Sequence, residues 1–172
     1  MKRLSDVNIG KTFKIAGFTF IKFSENNGES IIVLRNNYCQ SRFGKNNNFS
    51  ESEIKKILEQ KLLPILESEI GAENIIEHEV DLLSHDGDDK WGKPKCKISI
   101  PTFDFYRHNV KIFDKYKLDE WCWLATPDST SNHCDDNCVL CVSPHGDVLN
   151  CDASFICGVR PFCIVKSSIF VS

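Results

Sequence analysis

Between Thr126 and Cys157 the chain has no lysine and no arginine, although five aspartates fall there: Asp128, Asp135, Asp136, Asp147 and Asp152. A surface of that sign repels phosphate, and the overall net charge of −3 adds nothing basic to offset it, so direct nucleic-acid binding is excluded. Long apolar runs are also missing, which predicts no membrane span. The opening Met-Lys-Arg-Leu-Ser-Asp-Val-Asn has a basic start with no apolar stretch after it, so no signal peptide is expected and the compartment implied is the cytoplasm. There is no repeat, no low-complexity tract and no linker, and 172 residues then read as one domain spanning 1–172 that buries roughly two thirds of its unfolded surface.

Cysteine is plentiful. Nine residues, an odd number at irregular spacing, read as reduced thiols rather than as a disulfide framework. Six of them lie in the stretch Trp121–Pro161, around which the chain is organised.

Apolar and polar residues alternate from Ile9 to Phe23 with Gly17 as punctuation, which predicts a strand pair. Asn27-Gly28 accepts positive φ at low cost and predicts a turn into a third strand, Ile31–Asn36. Tyr38–Phe49, with Gly44 and three consecutive asparagines, reads as a loop. Ser50 with Glu53 forms a capping box for a helix whose apolar stripe is Ile54, Ile57, Leu58, Leu62 and Ile65. Pro64 is expected to kink or end that helix, with Gly71 as a later stop. Ile76, Val80 and Leu82 suggest a short strand and residues 84–95 an exposed loop. Cys96, Ile98 and Ile100 alternate again, and Thr102 caps a helix over 103–113. The order is α+β.

Several groups in the last third carry candidate chemistry. Trp121 and Trp123 share one strand face and are expected to pack as core, with a ligand-stacking platform as the alternative. Arg160 is expected to be structural, stacked on one of those rings or paired with a buried acid. His133, Cys134, Cys138 and Cys141 have the composition of a zinc site, but Cys138 and Cys141 lie three apart in a strand-like run and face opposite sides, so buried small hydrophobes are expected instead. His145 and Asp147 flank Gly146 in a turn before they make an acid–base pair, and Asp135-Asp136-Asn137 offers too few oxygens for calcium.

Ile9-Gly10, Gly17-Phe18-Thr19-Phe20, Ser52-Glu53-Ile54 after the asparagines, Trp121-Cys122-Trp123-Leu124-Ala125-Thr126-Pro127, Val142–Gly146 and Gly158-Val159-Arg160-Pro161 resemble, in order and spacing, a widespread bacterial and phage family classed as a domain of unknown function. Its motifs read Trp-Trp-Leu-Arg-Ser-Pro and Gly-Val-Arg-Pro. Here Cys122 splits the tryptophans and Ala125 stands in the place of the arginine. The resemblance implies a C-type-lectin-like fold, with two small antiparallel sheets, two flanking helices and a long loop region.

On such a frame the loops are the expected contact surface: Asp128, His133, Asp135, Asp136, Asn137, His145, Asp147, Asn150 and Asp152 would meet a protein partner. The expected function is a non-enzymatic binding module with no cofactor, for instance a phage or mobile-element inhibitor whose acidic loops occupy the groove of a nucleic-acid-binding host protein in the cytosol. Two alternatives come with the fold. One is a thiol- and metal-dependent oxidase resembling formylglycine-generating enzymes, with a copper-binding pair among Cys151, Cys157 and Cys163. The other is a carbohydrate-binding domain.

Overall fold

The computed structural model describes residues 1–172. After β1 (Lys2–Arg3), the predicted strand pair forms as β2 (Thr12–Ile15) and β3 (Phe18–Asn26), and β4 (Glu29–Leu34) follows. The two hairpin turns use positive φ at Ala16-Gly17 and Asn27-Gly28, the geometry whose twist matches that of the flanking strands. The expected loop from Tyr38 begins instead with a strand, β5 (Cys39–Arg42), which exists because β13, more than a hundred residues later, supplies its hydrogen-bonding partner.

The first helix starts at Ser52 rather than Ser50. Ser52 Oγ accepts from the Lys55 N–H at 3.0 Å, while Ser50 sits in a 3-10 turn capped by Asn48. α1 (Glu53–Ile57) continues through a π-helical turn, Leu58–Leu62, into α2 (Leu63–Ile70), so Pro64 does not end the helix. The wider turn, in which Leu63 N–H donates to Leu58 O, accommodates the ring and its missing amide. It also adds a residue to the period: Leu66 is buried where Ile65 was expected, and Ile65 is left 43% exposed. Gly71, at φ 86°, closes the helix as predicted.

The strand expected at Ile76–Leu82 survives only as β6 (Ile75–Ile76) and β7 (His78–Glu79), followed by β8 (Lys95–Cys96) and β9 (Ile98–Ser99). Thr102 caps the next helix, accepting from Phe105 N–H at 3.2 Å, but Asn109 divides it into α3 (Phe103–His108) and α4 (Val110–Lys115). The tail is all strand: β10 (Cys122–Pro127), β11 (Cys138–Val142), β12 (Val148–Asp152), β13 (Ile156–Val159), β14 (Phe162–Lys166) and β15 (Phe170–Val171), the last pairing with β1.

The fold is α+β. A five-stranded mixed sheet has the order β12-β11-β10-β13-β5, with β10 and β13 parallel. A six-stranded antiparallel sheet runs β2-β3-β4-β14-β6, with β9 also on β14. Alternate residues of both sheets feed two apolar clusters. The larger holds Phe20, Ile32, Trp123, Val139 and Val159 against α1 and α2; the smaller holds Ile21, Val33, Leu124 and Leu140 against α3 and α4. Gly158 lets the Asn37 side chain lie against the sheet where it meets the 35–38 turn: a Cβ there would lie 2.0 Å from Asn37 Nδ2 and would displace that side chain. No helix is long and apolar enough to cross a membrane.

The cap assignment predicts that Ser52→Ala lowers stability by about 1 kcal/mol in chemical denaturation, with Ser50→Ala close to neutral.

Candidate functional site

The polar loop after β10 is held by a residue from the asparagine-rich turn. Asn47 is fully buried, and its backbone N–H and both ends of its side-chain amide are hydrogen-bonded. Its backbone N–H donates to Asp136 O (2.8 Å), its Nδ2 to Ser129 O (2.8 Å) and Cys138 O (2.9 Å), and its Oδ1 accepts from Trp91 Nε1 (3.0 Å). One side chain thereby joins the loops around residues 47, 91 and 128–138. Sequence periodicity carries no sign of this, since an asparagine in an Asn-rich run looks like solvent-facing turn.

The segment 84–90 lies alongside the same loop. His85 N–H donates to Pro127 O at 2.8 Å, Thr130 Oγ1 to Asp88 Oδ1 at 2.8 Å, and Lys90 to Ser131 Oγ. Asp86 accepts from Ser84 Oγ and from His133 Nδ1. Neighbouring Ser129 first, then these two bonds, hold its carboxyl well below the usual carboxylate range. The buried Ser129 Oγ has no partner at hydrogen-bond geometry, so Ser84 and His133 are the contacts that fix Asp86 in place. His133 is pushed above its ordinary value by the same bond to Asp86. Asp128 accepts from Asn150 Nδ2 at 2.9 Å, and Asp152 is lowered by the hydroxyl and amide of Ser154.

Seven of the nine expected contact residues, Asp128, His133, Asp135, Asp136, Asn137, Asn150 and Asp152, lie about this one end of the β11–β12 hairpin. Asp86 and Asp88, from the loop expected at residues 84–95, join them. His145 and Asp147 do not: they belong to the turn at the other end of the hairpin, about 15 Å away along the strands.

The zinc-like set does not converge. His133 is engaged by Asp86, Cys134 is exposed, and Cys141 is buried with its Sγ 2.7 Å from Cys151 Sγ on the neighbouring strand. No three His, Cys, Asp or Glu side chains are placed to hold a metal ion. Of the three cysteines considered for copper, Cys151 and Cys157 belong to the five-stranded sheet, on β12 and β13, which do not pair with each other, whereas Cys163 lies in the other sheet, near Cys96. All nine cysteines are free thiols. Burial pushes Cys96 up to about 11 and Cys157 up to about 12, and raises Cys141 and Cys163 further, so these thiols are neutral at physiological pH.

Trp123 is core as expected, fully buried, donating from Nε1 to Ser41 O at 2.9 Å and meeting Phe43 edge-on. Trp121 is not: it precedes the strand and stays 38% exposed. Arg160 is buried, yet it meets neither tryptophan nor an acid. Nε donates to Leu34 O at 2.8 Å and Nη2 to Tyr116 O at 3.4 Å, and the guanidinium lies 5.2 Å from the Phe113 ring centre.

Comparison of the chain with protein families, curated proteins and solved structures finds no match.

Removing Asn47 strands several buried groups at once, so Asn47→Ala is expected to cost about 3 kcal/mol and to raise amide exchange across 128–138. The Asp86–His133 contact has a definite pH window. Asp86, depressed, contributes fully above the unfolded carboxylate value near ~4 and loses its effect only as pH falls through its lowered pKa. His133, raised, contributes fully below the unfolded value near ~6.5 and loses it as pH rises through its elevated pKa. In an NMR titration His133 should therefore ionise above the ordinary histidine value in the wild type and return toward it in Asp86→Asn.

Proposed function

We propose that this chain is a non-enzymatic protein-binding module of C-type-lectin-like architecture whose acidic loop platform docks on a basic face of a partner protein. The observation that carries this reading is the fixed geometry of the platform. Asn47 and the Asp86–His133 contact hold the two loops before any partner arrives, so the ordering cost on binding is small. Asp135 and Asp152 project from it into solvent with no lysine or arginine in the same stretch, and Phe155 and Ile156, 60% and 68% exposed, offer apolar area just beyond Asp152. A face with that charge complements proteins that themselves bind nucleic acid. The concrete version is an inhibitor encoded by a phage or mobile element that occupies the nucleic-acid groove of a host defence protein, consistent with the motif resemblance of the Trp121–Pro127 and Gly158–Pro161 segments.

Asp135 and Asp152 make only local turn bonds, which asparagine preserves, so Asp135→Asn with Asp152→Asn tests the electrostatics without unfolding the loop. The immobilised protein should retain a nucleic-acid-binding protein from bacterial lysate that added DNA displaces. Retention should weaken as salt rises, and the double variant should bind about three- to tenfold less tightly. Salt-insensitive retention, or equal binding by the variant, would reject the reading.

A further inference from the structure

Strand β12 is an edge of the five-stranded sheet, and no other strand of the chain closes it. It pairs with β11 alone, antiparallel and without a bulge from Cys138↔Asp152 to Val142↔Val148. The bonds just beyond its two ends fix which residues face inward: Ser143 N–H donates to Asp147 O at 2.9 Å and Ala153 N–H to Asn137 O at 2.7 Å. Bonded positions alternate along an antiparallel ladder, so Leu149 and Cys151, in step with Asp147 and Ala153, bond to β11 through their backbone. Val148 and Asn150 therefore point N–H and C=O outward. Asp152 does so with its N–H, its carbonyl being taken by Phe155 N–H at 2.9 Å.

An open edge of this kind is usually blunted by lysine, proline or a bulge. β2, at an edge of the other sheet, is closed by the C-terminus, since Lys14 and Ser172 exchange two backbone bonds of 2.7 and 3.3 Å. β12 has none of these devices. Its sequence, Val-Leu-Asn-Cys-Asp, contains no lysine, arginine or proline, and Leu149 stays 48% exposed. Charge decides what can pair with it. Asp152 belongs to the strand, Asp147 precedes it, and Asp128 touches it by accepting from Asn150 Nδ2 at 2.9 Å. Two lysines approach the loops at the ends of the hairpin and both are engaged: Lys90 by Ser131 Oγ and the Trp91 ring, Lys117 by Asp114. A second copy would bring Asp147 and Asp152 against the same pair, and like charges across a ladder are destabilising. An extended segment with cations on one face is stabilised at the same positions.

We propose that β12 is a strand-addition site that takes an extended segment of a partner protein with alternating basic and apolar residues. The basic side chains lie on the face of Val148 and Asn150, beside Asp128 and Asp152, and the apolar ones on the face of Leu149. Main-chain bonds to Val148 and Asn150 hold the segment, and the carboxylates select its charge. This deepens the docking proposed for the acidic platform, on which it rests, by naming the part of the partner that docks.

The test is titration of the ¹⁵N-labelled protein with an acetylated, amidated heptapeptide of alternating lysine and valine, followed at the amides of Val148, Asn150 and Asp152. Saturable shifts are expected there, and the corresponding glutamate–valine peptide should give none. Two further probes carry N-methyl groups on the lysines or on the valines, which removes the N–H groups along one edge and keeps the charge. One of them should bind about tenfold more weakly and the other like the parent. Loss with methylated lysines means antiparallel addition, loss with methylated valines parallel addition. Leu149→Lys, at an exposed position, should also weaken binding about tenfold while leaving the spectrum folded. Equal binding by all three basic peptides overturns the strand addition but leaves the acidic platform standing, because charge alone then holds them. Equal weakening by both methylated forms, binding of the glutamate peptide, unchanged affinity in Leu149→Lys, or no saturable shift overturns it as well, and retention of the lysate protein then decides the platform separately. Shifts at Val148 and Asn150 with protein concentration alone would make the occupant a second copy and overturn the proposal.

Discussion

Strand β10 has no solvent face, and the arrangement of the rest follows from that. Every residue from Cys122 to Pro127 is buried. A strand with one wet face needs apolar groups only at alternate positions, but here Trp123 and Ala125 enter one apolar cluster while Cys122 and Leu124 enter the other. The strand must therefore be central in its sheet and must have cover on both sides. β11 and β13 flank it, α1 and α2 contribute to one cluster, and α3 and α4 to the other. The indole N–H of Trp123 finds its acceptor on Ser41 of edge strand β5, which ties the edge to the centre through the core as well as through the ladder.

The same constraint sorts the thiols. Cysteine is small enough to fill the tight space between neighbouring strands without a polar group that demands a strong partner, and five of the nine are buried. Cys141 and Cys151 meet across β11 and β12, and Cys163 lies near Cys96 in the other sheet. Low dielectric keeps these sulfurs protonated, which makes them packing groups rather than nucleophiles. Cys134 differs, being exposed in the acidic loop.

Charge is handled differently at the two ends of the β11–β12 hairpin. At one end, aspartates are held in fixed loops with their charge directed to water. At the other, a guanidinium is buried without an acid. The acidic end is economical because water and short local bonds stabilise each carboxylate. The Arg160 end is not, since desolvation first and then the nearby charge of Arg35 draw its pKa down to about 10, a sign that the surroundings do not fully compensate the charge.

Local physics was enough for much of the scaffold. Alternation in Phe13–Phe20, the positive-φ pair Asn27-Gly28, the Thr102 cap and the Gly71 stop are written in residues that act on their immediate neighbours, so the α+β class and the opening hairpins are legible in the chain. What the tertiary structure alone decided involves partners distant in sequence. β5 became a strand because β13 paired with it, and the π turn before Pro64 moved burial from Ile65 to Leu66. Asn47 became the node of three loops, and Arg160 was left facing a cavity instead of a tryptophan or an acid. Hydrogen-bond partners and burial are set by chain segments tens of residues apart, and no pattern confined to a short window contains them.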